Sequence, residues 1–181
     1  MSETARATPA MIVVMGVSGS GKSTIARRLA ATLGWAFLDG DDLHSPASIA
    51  KMRAGIPLRD ADRWPWLDAI AAWMHRELAD GRAGVVACSA LRRVYRERLR
   101  RAGPGVRFVY LAVTHEALAR RMRARDHFMP PELLGSQLAT LEEPAGDEPA
   151  LRVAANGPVE DTLAQVLCGL AHQGLAVPRR G

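Results

Sequence analysis

The chain has 181 residues, 48% of them apolar and 24% charged, which excludes a disordered or collagen-like polymer and leaves room for about one domain. Its formal net charge is +5, yet of 24 basic residues only Lys22 and Lys51 are lysines and alanine is used 31 times, so the arginine excess reads as a coding bias and not as the mark of a nucleic-acid partner. No apolar run reaches the roughly 18 residues that a membrane-spanning helix needs, and Glu3, Arg6 and Pro9 stand where a leader would be apolar, so a cytoplasmic protein without membrane contact is expected.

Residues 11–15 (MIVVM) form an apolar run short enough for a strand buried on both faces, and glycines follow at once. Residues 22–33 read as a helix, with Ile25, Leu29 and Leu33 at a spacing of four and Gly34 as its stop. Residues 35–38 predict a second strand, which ends in Asp39-Gly40-Asp41-Asp42. A polar, proline-containing stretch then runs to Asp60. Trp66, Ile70, Trp73, Met74 and Leu78 mark an amphipathic helix whose first turn would hold Pro65. Residues 84–88 and 106–113 predict two more strands, with helices over 92–101 and 115–125. A loop over 126–135, a short helix over 131–141, a weaker fifth strand over 151–154 and a helix over 159–170 complete the pattern. Strands alternating with helices imply an α/β fold with a parallel sheet covered on both faces, a three-layer α/β/α arrangement of five strands. Ligands in such folds gather at the carboxyl ends of the strands, where polar residues follow Met15, Leu38 and Cys88. Cys88 and Cys168 belong to no CxxC or Cys/His cluster and read as two buried thiols in a reducing compartment.

Residues 16–23 fit GxxxxGK[ST], between a predicted strand and a predicted helix. Gly16, Gly19 and Gly21 let successive N–H groups turn toward phosphate oxygens, and the helix beginning near Lys22 adds its positive end. Lys22 can reach β- and γ-phosphates, and the Ser23 hydroxyl can ligate Mg²⁺. Gly16, Val17, Ser18, Gly19, Ser20, Gly21, Lys22, Ser23 and Thr24 therefore form the nucleotide-binding stretch, with ATP and Mg²⁺ as the expected cofactors.

A carboxylate at the end of the neighbouring strand can face the γ-phosphate, take a proton from an attacking hydroxyl, or hold Mg²⁺ through water. Alternation along an extended segment puts Asp39 and Asp41 on one side, with Asp41 favoured as base and Asp39 as metal or support residue. His44, Lys51, Arg53, Arg59, Asp60, Asp62 and Arg63 follow, a segment able to offer cations to a carboxylate and hydrogen bonds to hydroxyls. Arg120, Arg121, Arg123 and Arg125 crowd one helix ahead of the 126–135 loop. Such arginines can neutralise charge on a transferring phosphoryl group, and the loop could close over the nucleotide and exclude water.

With these motifs in place the chain resembles the gluconokinase family, small P-loop sugar-acid kinases, over about residues 11–170. The resemblance is carried by residues 15–23, 37–44, Lys51-Met52, 55–58, 60–63 with 65–67, 88–91 with Tyr95-Arg96, His127-Phe128, and Ser136-Gln137 through 140–142 to Pro144. The chain departs from the family pattern at Ser45, Ser48 and Arg92, where that pattern has proline, asparagine and lysine. The resemblance implies transfer of the ATP γ-phosphate to the 6-hydroxyl of D-gluconate, a single kinase domain over 1–181, an acceptor segment over 42–65, a mobile lid over 124–136 and a homodimer. It places Asp41 at the acceptor hydroxyl, and His44, Lys51, Arg63, Ser89 and the lid residue His127 in or near the acceptor pocket. Arg120, Arg123 or Arg125 would reach the phosphates, with Arg123 the catalytic choice. A P-loop kinase for a shikimate-like or nucleotide-like acceptor, and a nucleotide-binding module without transfer chemistry, remain as alternatives.

Overall fold

The protein is described here as a computed structural model covering residues 9–123 and 131–177. Five strands form one parallel sheet: β1 (Met11–Met15), β2 (Ala36–Asp39), β3 (Gly84–Ala87), β4 (Val106–Ala112) and β5 (Ala150–Ala154), in the order β2-β3-β1-β4-β5. The helices are α1 (Lys22–Leu33), α2 (Pro46–Arg53), α3 (Asp60–Ala79), α4 (Arg93–Arg100), α5 (His115–Arg123), α6 (Pro131–Thr140) and α7 (Val159–His172), with one 3₁₀ turn over Gly40–Leu43.

β1 lies in the centre of the sheet and is buried along its whole length, which is why it reads as an unbroken apolar run. Its alternate side chains serve two cores. Met11, Val13 and Met15 pack with Trp66, Leu67, Ile70 and Met74 of α3 and with Tyr95 and Leu99 of α4. Ile12 and Val14 pack with Ile25 and Leu29 of α1 and with Leu163, Val166 and Leu170 of α7. The expected three layers follow. A small third cluster joins Val17, Leu91 and Leu118 to Leu134 and Leu138 of α6, at the carboxyl end of the sheet.

The chain departs from the sequence reading in the stretch before Asp60, which is helical in part. The Ser45 hydroxyl caps α2 by accepting the Ser48 N–H at 3.1 Å, and Pro46 opens the helix with no N–H to leave unsatisfied. Both departures from the family pattern in this segment thus sit in one cap, since Ser45 also donates to the Ser48 hydroxyl at 3.1 Å. α3 begins at Asp60, where the Asp62 carboxylate accepts the Arg59 N–H at 2.9 Å and acidic residues meet the positive end of the helix. Pro65 is therefore inside α3 and not in its first turn. It and Ala61, whose carbonyl loses its partner, are both exposed, so water can serve that carbonyl.

Arg96 of α4 has no exposed surface. It meets Glu148 through two hydrogen bonds, at 2.5 and 2.8 Å, and donates to the carbonyls of Ala90, Leu91 and Glu142. A buried charge pair of this kind contributes little net stability but is costly to break. Here it holds the turn after β3, where Ala90 takes the left-handed backbone at φ 43°.

Candidate active site

The turn between β1 and α1 is a cradle of backbone. Gly19 and Gly21 have φ of 79° and 93°, values that only glycine adopts cheaply, and a Cβ at Gly21 would meet nothing within 4 Å. Among the described residues no side chain caps α1, and no acidic residue occupies its first turn, so its leading N–H groups and positive end suit an anion. The residues fit a polyphosphate on these grounds.

A cavity of about 340 Å³ opens beside this turn, at the low end of the roughly 300–1,000 Å³ usual for small-ligand sites. It brings together six of the predicted residues: Ser18, Lys22, Asp41, His44, Arg63 and Ser89. The charged side chains lining it are Lys22, Arg53, Arg63 and Asp41, a set that suits an anionic acceptor with hydroxyls. α6 forms part of the wall, and Gln137 accepts the Ser18 N–H at 2.7 Å. Burial pushes the Cys88 thiol, just past the end of β3, up to about 12; Asp41 and Asp39 add to the rise and Lys22 opposes it.

Arg63 is held from below. It donates to the Tyr95 hydroxyl at 2.9 Å, and Tyr95 donates in turn to Asp60. That hydrogen bond, with Arg92 at 2.8 Å, keeps the Asp60 carboxyl below its usual range. His44 stacks on Trp66 with ring centroids 4.3 Å apart. Its Nε2 lies 3.9 Å from Asp41 Oδ1, and its buried Nδ1 has no partner among the described residues. Burial lowers the His44 pKa; Asp41 opposes this and Arg63 reinforces it.

A second cavity of about 160 Å³ adjoins the phosphate turn, lined by Gly19, Ser20, Gly21 and Thr24, by Arg121, and by Ala155, Gly157, Pro158, Val159 and Thr162 after β5. Arg121 donates to the carbonyls of Gly19, Ser20 and Ala155.

Three expectations need correction. Lys51 does not line either cavity: α2 turns Ile49, Met52 and Arg53 inward, and Lys51 pairs with Asp62 of α3 at 2.6 Å. Arg120 is exposed and, among the described residues, its one hydrogen bond is to the Asn156 carbonyl, at 3.4 Å, because the phase of α5 turns Arg121 inward instead. Asp39 and Asp41 do not share a side by alternation, since the chain leaves the extended form at Gly40 and Asp39 Oδ1 accepts the Asp41 N–H at 3.2 Å. The Arg123 side chain, Arg125 and His127 lie outside the described residues, as do positions 124–130 of the expected lid; residues 131–136 begin α6. Sequence reasoning placed Arg53 among the cations of the acceptor segment, and the cavity bears that out. It gave Trp66 and Gln137 no cavity role: Trp66 looked like core, which it also is, and Gln137 entered only as one of the residues that carry the resemblance.

Among the described residues no three His, Cys, Asp or Glu side chains cluster to hold a metal. A divalent cation at Ser23 and Asp39 would therefore draw most of its ligands from phosphate oxygens and water, as Mg²⁺ commonly does. Among the described residues no helix is long and apolar enough to cross a membrane.

Residues 11–144 match the model of a family described as an AAA domain. A gluconokinase of Gluconobacter oxydans is 50% identical over 147 residues, 81% of this chain and 83% of its own. A crystal structure of a gluconokinase from Sinorhizobium meliloti superposes with a TM-score of 0.83 at 47% identity, covering 92% of this chain and 94% of that one. An unliganded sugar kinase from Janibacter sp. HTCC2649 gives 0.86 at 45% identity, covering 90% and 95%.

Proposed function

This chain belongs to the gluconokinase family, and from that premise we propose that it transfers the γ-phosphate of ATP to the 6-hydroxyl of D-gluconate, giving 6-phospho-D-gluconate and ADP. The observation that carries this reading is the pair of cavities meeting at one phosphate turn: Ser18 and Lys22 line one, Gly19 to Gly21 the other. A base and sugar on the Arg121 side and an acceptor on the Arg63 side would present the γ-phosphate between them.

In this reading Arg63 and Arg53 meet the carboxylate of gluconate, and Ser89 and His44 its hydroxyls. Asp41 takes the proton of the 6-hydroxyl as its oxygen bonds to the γ-phosphorus and the bond to the bridging oxygen breaks. Lys22 and the N–H groups of residues 16–24 offset charge on the phosphates. Ser23, with Asp39 in support, would hold Mg²⁺, which would supply further charge neutralisation on the phosphates. Arg123 and Arg125 would face the phosphates and His127 would belong to a lid over 124–136. The enzyme would work as a cytoplasmic homodimer.

A coupled ADP assay over sugar acids, shikimate and nucleoside monophosphates tests the acceptor. Turnover with gluconate is expected; turnover with another acceptor and none with gluconate overturns the choice. Mg²⁺ withdrawal by chelation should abolish turnover, and gel filtration should give twice the mass of the chain.

A further inference from the structure

We propose that Trp66 is a positioning residue for Asp41; this rests on the reading of Asp41 as the base. Two contacts carry it. The Trp66 indole N–H donates to the Gly40 carbonyl at 2.6 Å in a buried bond. The same ring stacks on His44, with 14° between the planes. Trp66 thus grips the 3₁₀ turn on both sides of Asp41, through the carbonyl just before it and the ring three residues after it.

Asp41 needs such support. Its side chain is 58% exposed, so packing does not orient it, and its carboxylate is 3.9 Å from the His44 ring, too far for a hydrogen bond. What fixes it is the turn. The His44 N–H donates to the Asp41 carbonyl at 3.3 Å, and the Asp41 N–H to Asp39 at 3.2 Å. The turn itself is seated at Gly40, where a Cβ would come within 2.6 Å of the Ala87 carbonyl and 3.0 Å of Ile70. Trp66 and Ile70 are one helical turn apart on α3, both buried in the same core cluster. α3 therefore both presses on Gly40 and tethers it. Removing the indole N–H leaves the Gly40 carbonyl without its buried donor and lets the turn, with Asp41 on it, shift.

The test is a double-mutant cycle of Trp66→Phe with Asp41→Asn, read by transfer of labelled phosphate so that residual rates are measurable. Trp66→Phe alone should lower kcat about tenfold or more, since misplacing a reacting group by an ångström costs up to about 100-fold. KM for ATP should stay within about twofold, because the hydrogen bond and the ring contact of Trp66 go to Gly40 and His44 and not to the phosphate turn. In the Asp41→Asn background the same change should cost less than about twofold, because the group it positions is gone. If Trp66→Phe loses its fold, β-(3-benzothienyl)alanine at position 66 keeps the shape and the stacking without the N–H, and the same cycle is run on it. Independent, additive losses overturn the positioning role, as does an unchanged kcat. Asp41→Asn at the wild-type rate overturns the base itself and Trp66's part with it.

Discussion

The two walls of the active site are built in different ways. The proposed phosphate side is one continuous segment, residues 16–24, which in this reading would act through backbone N–H groups, glycine conformations and one lysine. The acceptor side is assembled from α2, the loop with Pro57 and Leu58, α3, the turns after β2 and β3, and α6, each giving two or three residues. Chemistry carried by the local path of the backbone is written in consecutive residues. Chemistry carried by converging side chains depends on helix phase and on which groups are already spent on each other. A substitution in the first wall should therefore disable transfer for any acceptor, while one in the second, the base Asp41 and its support Trp66 aside, should act on the acceptor alone.

Lys22→Met should give the largest loss, on the order of 10²-fold or more in kcat/KM, because it removes charge aimed at the transferring phosphate. The loss should be the same for every acceptor that turns over. Steady-state kinetics with varied gluconate and ATP check this, and wild-type turnover would break the assignment of the phosphate wall.

Arg63→Ala should act on the other wall. A charge-assisted hydrogen bond is worth about 1.5–3 kcal/mol, so KM for gluconate should rise on the order of 10- to 100-fold with KM for ATP unchanged. A parallel rise in both constants would mean that the two walls are not separable. The Tyr95 hydroxyl and Asp60 hold Arg63 in place, so Tyr95→Phe should show a weaker form of the same selective effect.

His44 makes the second wall sensitive to pH. Burial lowers its pKa below 6.5, with Arg63 helping and Asp41 opposing. The unfolded chain then binds a proton that the folded one does not, so stability is lost as pH falls through about 6.5 and on toward the folded-state value; above 6.5 the penalty disappears. Melting temperatures should fall more steeply between pH 7 and about 5.5 for the wild type than for His44→Gln. Equal slopes would show that the imidazole is not protected.

The legible and illegible parts of the molecule follow the same division. The sheet could be read because a strand buried on both faces needs a continuous apolar run, and β1, β3 and β4 have one. The phosphate turn could be read because glycines at fixed offsets leave few alternatives. Asp41, His44 and Arg63 were reachable through the resemblance and converge on one cavity. Arg121 and Arg120 are adjacent in a run of arginines, and only the phase of α5 against the phosphate turn separates them. The Asp39–Asp41 pairing failed because alternation assumes an extended chain, and Gly40 begins a 3₁₀ turn under the tether of Trp66. α2 and the start of α3 were hidden because their signals are caps and not apolar periods: Ser45 ahead of Pro46, and Asp62 reaching back to Arg59.

Lys51 should give the smallest effect, and that makes it the sharpest probe of the comparison. It is one of two lysines in a chain rich in arginine, and by sequence alone it belongs with Lys22 as a ligand contact. The structure gives the two different fates. Lys22 lines the cavity, whereas the Lys51 ammonium lies 2.6 Å from Asp62, whose other oxygen accepts the Arg59 N–H. Both partners hold the Asp62 carboxyl below its usual range, the Lys51 hydrogen bond most strongly. Lys51 therefore joins the end of α2 to the start of α3, and its contact with the acceptor wall is indirect. Lys51→Ala should change KM for gluconate by less than about threefold and leave kcat intact, since partly exposed ion pairs contribute little. Restoring the charge as Lys51→Arg should bring back whatever is lost. A rise in KM as large as that of Arg63→Ala would mean that Lys51 leaves Asp62 to meet the acceptor, and that the wall seen here rearranges when it binds.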